Sequence, residues 1–304
     1  MKIGIGVREP GKAGFAGLIA EVKRAEAAGF ASAWFANIFG LDALTAIAMC
    51  GRETTRIELG TAVVPTYPRH PFAMAQQAMT TQLATGNRLV LGIGLSHQVV
   101  IEMMLGMSYA KSYSHMKEYL GALAPLVREG RVSFKGELFK VNAQLSVPGA
   151  TPPPIVVAAL APKMLALAGS VADGTITWMT GQKTLAEHIV PSIRKAAAAA
   201  GRPTPRVIAG LPVAVTDRPD QARAAVAGIL RSYGGLPSYR AMLDREGAQG
   251  AGEIAVVGNE AAVAEQLDQL AASGVTDLNA TLFPVPDEDA PARTFEFLAA
   301  RAKA

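Results

Sequence analysis

Cysteine occurs once in the 304 residues. No internal disulfide framework can hold this chain, so apolar packing must do so. The lone thiol, Cys50, lies in the helical run ALTAIAMCGRE and reads as a small core residue, not a nucleophile. Charged side chains make up only 18% of the sequence against 50% hydrophobic, which argues against wholesale disorder. No apolar run approaches the ~18 residues of a membrane span. The opening MKIGIGVREPG lacks the apolar core and cleavage site of a secretory leader. These absences lead us to expect a soluble, cytoplasmic protein with no membrane partner. The net charge of +4 is dispersed, with no Lys/Arg run interleaved with aromatics. Nucleic acid is therefore not an expected partner.

Several catalytic signatures are also missing. Gly92-Ile93-Gly94 begins like a dinucleotide loop, but His97 stands where the third glycine belongs. There is no H-E-x-x-H, no His/Asp/Cys cluster at metal-ligand spacing and no G-x-S-x-G elbow. Only four histidines occur: His70, His97, His115 and His188. His188 falls mid-helix and reads as a surface residue. His70, before Pro71, reads as a helix cap.

What is present is alternation. Apolar strand-like runs at 2–7, 32–36, 57–64, 88–94, 155–160, 174–179, 206–215 and 276–283 are separated almost throughout by helical periodicity. The runs are continuously apolar, as in a parallel sheet buried on both faces. Eight such units predict an α/β fold of the (β/α)8 TIM-barrel type, one domain over residues 1–304. A hairpin is expected as an insertion around 130–142, turning at Lys135-Gly136. A Gly-rich helical excursion is expected around 234–250. A doubly wound open sheet is the rival, disfavoured by the count and by the missing phosphate-loop glycines.

In a barrel of this type the chemistry sits at the C-terminal strand ends. Those ends carry Asn37, then Thr61-Ala62-Val63, Leu95-Ser96-His97, Ala159-Leu160-Ala161 with Lys163, and Thr180-Gly181. They offer hydrogen-bond donors, apolar surface and small residues, but few acid/base groups. Such a rim suits a large flat cofactor that carries the chemistry itself.

Five segments bear a family likeness: GFASAWFANIFGLDAL, IELGTAVVPTYPRHPFAMAQQ, RLVLGIGLSHQ, PPPIVVAALAPKMLALAGSVADGTITWMTG and VVGNEAAVAEQLDQLAASGVTDLNATLF. Together they resemble the luciferase-like superfamily of flavin and deazaflavin barrels, over essentially the whole chain. GTAVVPTYPRHP and GLSHQ most resemble its branch that uses coenzyme F420, a 5-deazaflavin.

The resemblance implies a non-proline cis peptide at Ala62-Val63, in a bulge that backs the cofactor ring beside Thr61. It implies that Gly92 and Gly94 let the chain turn beneath the ring, and that Leu95, Ser96 and His97 address its edge. It gives Ala159, Leu160, Ala161 and Lys163 to the phosphate, with Thr180 and Gly181 closing its other side. Ala-Leu-Ala stands where relatives often carry a glycine pair. Asn37-Ile38 replaces the acidic residue and histidine that sugar-phosphate dehydrogenases of the family carry after strand two, and His97 replaces their glutamate after strand four. The implied activity is therefore hydride transfer between F420 and a small organic substrate of enone or imine type. His97 is the candidate catalytic proton donor, since its ordinary pKa is about 6.5. The alternatives are an FMN-dependent monooxygenase and a non-enzymatic F420 carrier. A homodimer is the family's usual assembly.

Overall fold

The computed structural model describes residues 1–8 and 10–303. Eight parallel strands form the barrel: Lys2–Val7 (β1), Ser32–Phe35 (β2), Glu58–Thr61 (β3), Leu89–Gly94 (β4), Ile155–Ala158 (β5), Gly174–Trp178 (β6), Arg206–Val215 (β7) and Asp277–Leu282 (β8). The order runs β1 to β8, and β8 pairs back to β1 through Lys2 opposite Asp277. The sheet therefore closes, which excludes the open doubly wound alternative. Every residue of β4, LVLGIG, is buried, as its unbroken apolar run requires.

Local signals set the helix boundaries. Gly29 ends Gly14–Ala28 at φ 95°, a left-handed conformation that favours glycine. Asp42 caps Ala43–Arg52 by accepting from Thr45 N, and Asn259 caps Glu260–Ala272 by accepting from Ala262 N. Pro71, Pro162 and Pro219 each open a helix, where no backbone donor is needed.

Four details differ from the sequence-based expectation. The third strand stops at Thr61 and resumes as Val64–Pro65, so the run at 57–64 is broken. The hairpin Arg131–Lys135/Lys140–Gln144 pairs Lys135 with Lys140, which moves its turn to 136–139. The helix that Asp217 and Pro219 open, which the sequence predicts to run to about Tyr233, ends at Ile229. Val256–Gly258 forms a further short strand on β7.

The barrel interior is filled by Trp34 of β2 with Val90, Val156, Ile176 and Ile208. Trp34 Nε1 donates to Ser32 Oγ at 2.8 Å, so its one polar atom is satisfied. A Cβ on Gly60 would overlap the Trp34 ring. The small residue on β3 therefore accommodates the barrel's own tryptophan.

Candidate functional site

The gap in strand three forms one side of the barrel mouth. Thr61, fully buried, uses its hydroxyl twice: it donates to Gly92 O at 2.7 Å and accepts from Gly92 N at 2.8 Å. This stitch replaces the ladder where the strand breaks, and it leaves no free Thr61 hydroxyl for a ligand. The Ala62–Val63 peptide is cis. Both residues are half-buried and pack on the Trp34 cluster. A Cβ on Gly94 would lie 2.6 Å from Val63 Cγ2, and one on Gly92 would overlap the Thr61 carbonyl. The two glycines of β4 thus admit the broken third strand.

After β4 the chain enters Leu95, Ser96 and His97, all half-buried. Ser96 adopts φ 60°, and its carbonyl accepts from Tyr109 Oη at 3.2 Å. The His97 carbonyl accepts from Val100 N and Ile101 N at 2.9 and 3.0 Å, opening the π-helical turn Val100–Met104. The His97 ring lies 5.6 Å from Tyr239 and 6.1 Å from Tyr233. Burial lowers its pKa, which favours a neutral ring near pH 7.

The end of β5 divides into a closed and an open part. Ala159 is buried, Leu160 is half-buried, and Ala161 and Lys163 are exposed. The helix Pro162–Val171 has no side-chain cap. Its geometry leaves Lys163 N–H and Met164 N–H without intrahelical partners, so an anion has donors there. His188 is not the free surface residue expected. It is half-buried in the π-helical turn Leu185–Ile189, with Nε2 2.8 Å from the Leu160 carbonyl.

The opposite flank differs more. Thr180 is buried, with its hydroxyl 3.4 Å from the Trp178 carbonyl. Gly181 is buried too and stands at the start of the next helix. The first N–H groups there, Lys183 and Thr184, already donate to the Glu246 carboxylate at 3.0 and 2.7 Å. An internal carboxylate thus occupies the donors that follow Thr180 and Gly181. Asn37 likewise serves the fold, since its Oδ1 accepts from Ala43 N at 3.0 Å. His70 caps its helix as expected, with Nδ1 accepting from Phe72 N.

Sequence reasoning missed the aromatic wall beside His97. Tyr67 stacks on Tyr109 at 5.5 Å and on His115 at 3.9 Å, while Tyr233 and Tyr239 meet at 5.5 Å. Trp178 and Phe283 stack across the mouth at 6.2 Å. The chain has only six tyrosines, and four of them gather here. Their scarcity was the available signal, but they come from three segments far apart in the sequence. Among the described residues no group of three or more His, Cys, Asp or Glu could hold a metal ion. Among them, too, no helix is long and apolar enough to cross a membrane.

A closed eight-stranded barrel with its rim built in this way defines a class, and sequence comparison confirms it. The chain belongs to the luciferase-like monooxygenase family, whose model matches residues 2–277. A putative coenzyme F420-dependent oxidoreductase of Mycobacterium tuberculosis is 33% identical over 167 residues, covering 50% of this chain and 48% of that one. The F420-dependent tetrahydromethanopterin reductase of Methanopyrus kandleri shares the fold at TM-score 0.80 and 20% identity, covering 98% and 97% of the two chains. The oxygenating constituent of 3,6-diketocamphane monooxygenase from Pseudomonas putida, solved with FMN, is similar at TM-score 0.75 and 17% identity, covering 100% and 97%.

Proposed function

We propose that this chain is an oxidoreductase that works with coenzyme F420 and moves a hydride between it and a small organic substrate. One observation carries the reading: a half-exposed apolar shelf, Ala62–Val63, and an uncapped helix start at Ala161–Lys163 lie on one barrel rim. That pairing fits a flat ring with an anionic tail. The names of several relatives, among them the mycobacterial protein above, support the deazaflavin over other flat cofactors. A bound deazaflavin would supply the hydride chemistry. The chain's part is to seat the ring against Ala62–Val63 and beside Leu95 and Ser96, and to offer N–H groups of Lys163 and Met164 to the phosphate. The Lys163 ammonium, exposed at that helix start, adds charge. His97, kept neutral by burial, holds or moves a proton at the edge of the site. On this reading the partner is a small molecule, the assembly a homodimer and the workplace the cytoplasm.

The second reading, an FMN-dependent monooxygenase, is favoured by the neighbour solved with FMN. Titrating the purified protein with F420 and, separately, FMN, followed by fluorescence, decides between them. Micromolar or tighter binding of F420 alone is expected. Binding of FMN alone moves the protein to the monooxygenase reading, and failure of both removes the cofactor assignment.

A further inference from the structure

Among the described residues, three of the four tyrosine hydroxyls beside His97 have no hydrogen-bond partner. Only Tyr109 has an acceptor, the Ser96 carbonyl. Tyr67 is 8% exposed, and its hydroxyl is shut away with no partner. A polar group left so is destabilising, and native structures rarely carry that cost without a reason. Tyr233 and Tyr239 sit half-buried against the His97 ring. Tyr109 links the two halves, since it stacks on Tyr67 and lies close enough to Tyr239 to influence its ionisation.

The charge around these phenols is one-sided. The carboxylate beside them is Glu102, whose Oε1 accepts from Tyr109 N at 3.3 Å and whose field reaches Tyr67 alone. Among the described residues no cation acts on them in the same way. The nearby Arg69 is paired with Asp42. An anionic ligand would therefore meet repulsion here, whereas a neutral acceptor would meet phenol donors and aromatic faces.

A separate observation concerns the cover. The segment between His97 and Tyr109 exposes Val99, Met103, Met104, Leu105 and Met107, with Met103 81% exposed. A run of exposed apolar side chains at a site rim marks a surface that some apolar group is meant to cover. Methionines suit it, because they repack around different shapes. The same segment contains the π-helical turn Val100–Met104, a feature often found at functional sites.

We propose that Tyr67, Tyr109, Tyr233 and Tyr239, beneath the methionine-bearing segment 99–107, form the substrate pocket, and that its ligand is an uncharged planar carbonyl compound held by phenol hydrogen bonds to its oxygen. This deepens the oxidoreductase reading and rests on it for the word substrate, but the pocket is a physical claim of its own.

The test uses the full chain and two probes of similar shape, acetophenone and benzoate, followed by calorimetry or ligand-observed NMR with and without F420. Acetophenone is expected to bind in both conditions, with benzoate about tenfold weaker or worse. Tyr67→Phe and Tyr239→Phe should each weaken acetophenone by about fivefold, the equivalent of one lost hydrogen bond. Neither change should alter F420 affinity. Equal binding of benzoate, full affinity in both variants, or displacement of acetophenone by F420 would overturn the proposal. The last outcome would give the tyrosines to the cofactor ring. If F420 fails to bind while the probe contrast and the tyrosine losses persist, the pocket stands and the cofactor reading falls.

Discussion

His115 shows at the residue scale how the aromatic wall is held. Its ring lies nearly parallel to Tyr67 at 3.9 Å, edge-on to Phe139 at 5.2 Å, and its Nε2 is 3.0 Å from Thr66 Oγ1. Burial pushes its pKa down to about 4, although Glu118 pulls the other way. In the unfolded chain a histidine titrates near 6.5. The unfolded state therefore binds a proton first as pH falls, and folding loses stability between about 6.5 and about 4. The full loss is on the order of 3 kcal/mol, because each tenfold difference in proton affinity between the two states is worth about 1.4 kcal/mol. His97, also lowered by burial, adds a contribution of the same sign. Carboxylates with lowered pKa values, such as Asp42 and Glu26, stabilise the fold above the ordinary carboxylate range and lose that effect only below it. Glu21, whose carboxyl pKa burial raises, acts with the opposite sign. Urea midpoints measured from pH 7 down to pH 5 thus report the histidines against that offset, and a variant at His115 separates that histidine from it. His115→Phe should flatten most of that slope, at the expense of about 1 kcal/mol from the unpartnered Thr66 hydroxyl. An unchanged slope would mean that the buried ring already carries a proton.

At the scale of elements, one of the ties that hold the excursion is a carboxylate cap. The helix Pro237–Glu246 ends with its carboxylate on the N–H groups of Lys183 and Thr184, and the Thr184 hydroxyl donates to Met242 O at 3.3 Å. Glu246→Ala removes an N-terminal cap supplied to Thr184 from 62 residues away. A cap is typically worth about 0.5–2 kcal/mol, and each kcal/mol shifts the melting temperature by about 1.5 °C in a chain of this size. Thermal unfolding should show that drop, and Glu246→Gln, which keeps acceptor oxygen, should recover part of it. No shift in either variant would mean that water replaces the carboxylate without loss. The excursion itself was legible in the sequence, because its glycines and polar residues stand out from the strands. Its attachment was not, since nothing near Glu246 signals a partner at Lys183. The break in strand three was legible only through the family resemblance, which placed a bulge and a cis peptide at Ala62–Val63, where the structure has them. The apolar, β-branched run IELGTAVVP did not show it, and the pairing of Val64 with Ile93 marks the skipped residues. The tyrosine wall was hard to read because its members come from three segments far apart in sequence, one of them the helix Pro237–Glu246, and only the fold joins them.

At the scale of the whole molecule, eight strands were countable because each is buried on both faces, but the ring also needs a device that joins distant strands. Arg206 at the start of β7 supplies it at the barrel base. It bonds Glu58 of β3 at 2.7 and 3.1 Å and Asp277 of β8 at 2.6 and 3.3 Å. Burial works against its charge, yet hydrogen bonds and attraction from the two carboxylates outweigh that and raise its pKa. Asp277 is only 2% exposed, and its carboxylate is held by this guanidinium and by the Thr276 hydroxyl at 2.6 Å. Arg206→Met should therefore strand two carboxylates and destabilise the fold by about 3–5 kcal/mol, a large share of the ~5–15 kcal/mol that holds a typical protein. The loss belongs to the unpaired charges more than to the missing bonds, because an ion pair removed from water returns only part of its desolvation cost. Arg206→Met combined with Glu58→Gln and Asp277→Asn should accordingly be more stable in denaturant than Arg206→Met alone. If the triple variant were as unstable as the single one, arginine's packing at the base, and not its charge, would be what closes the barrel.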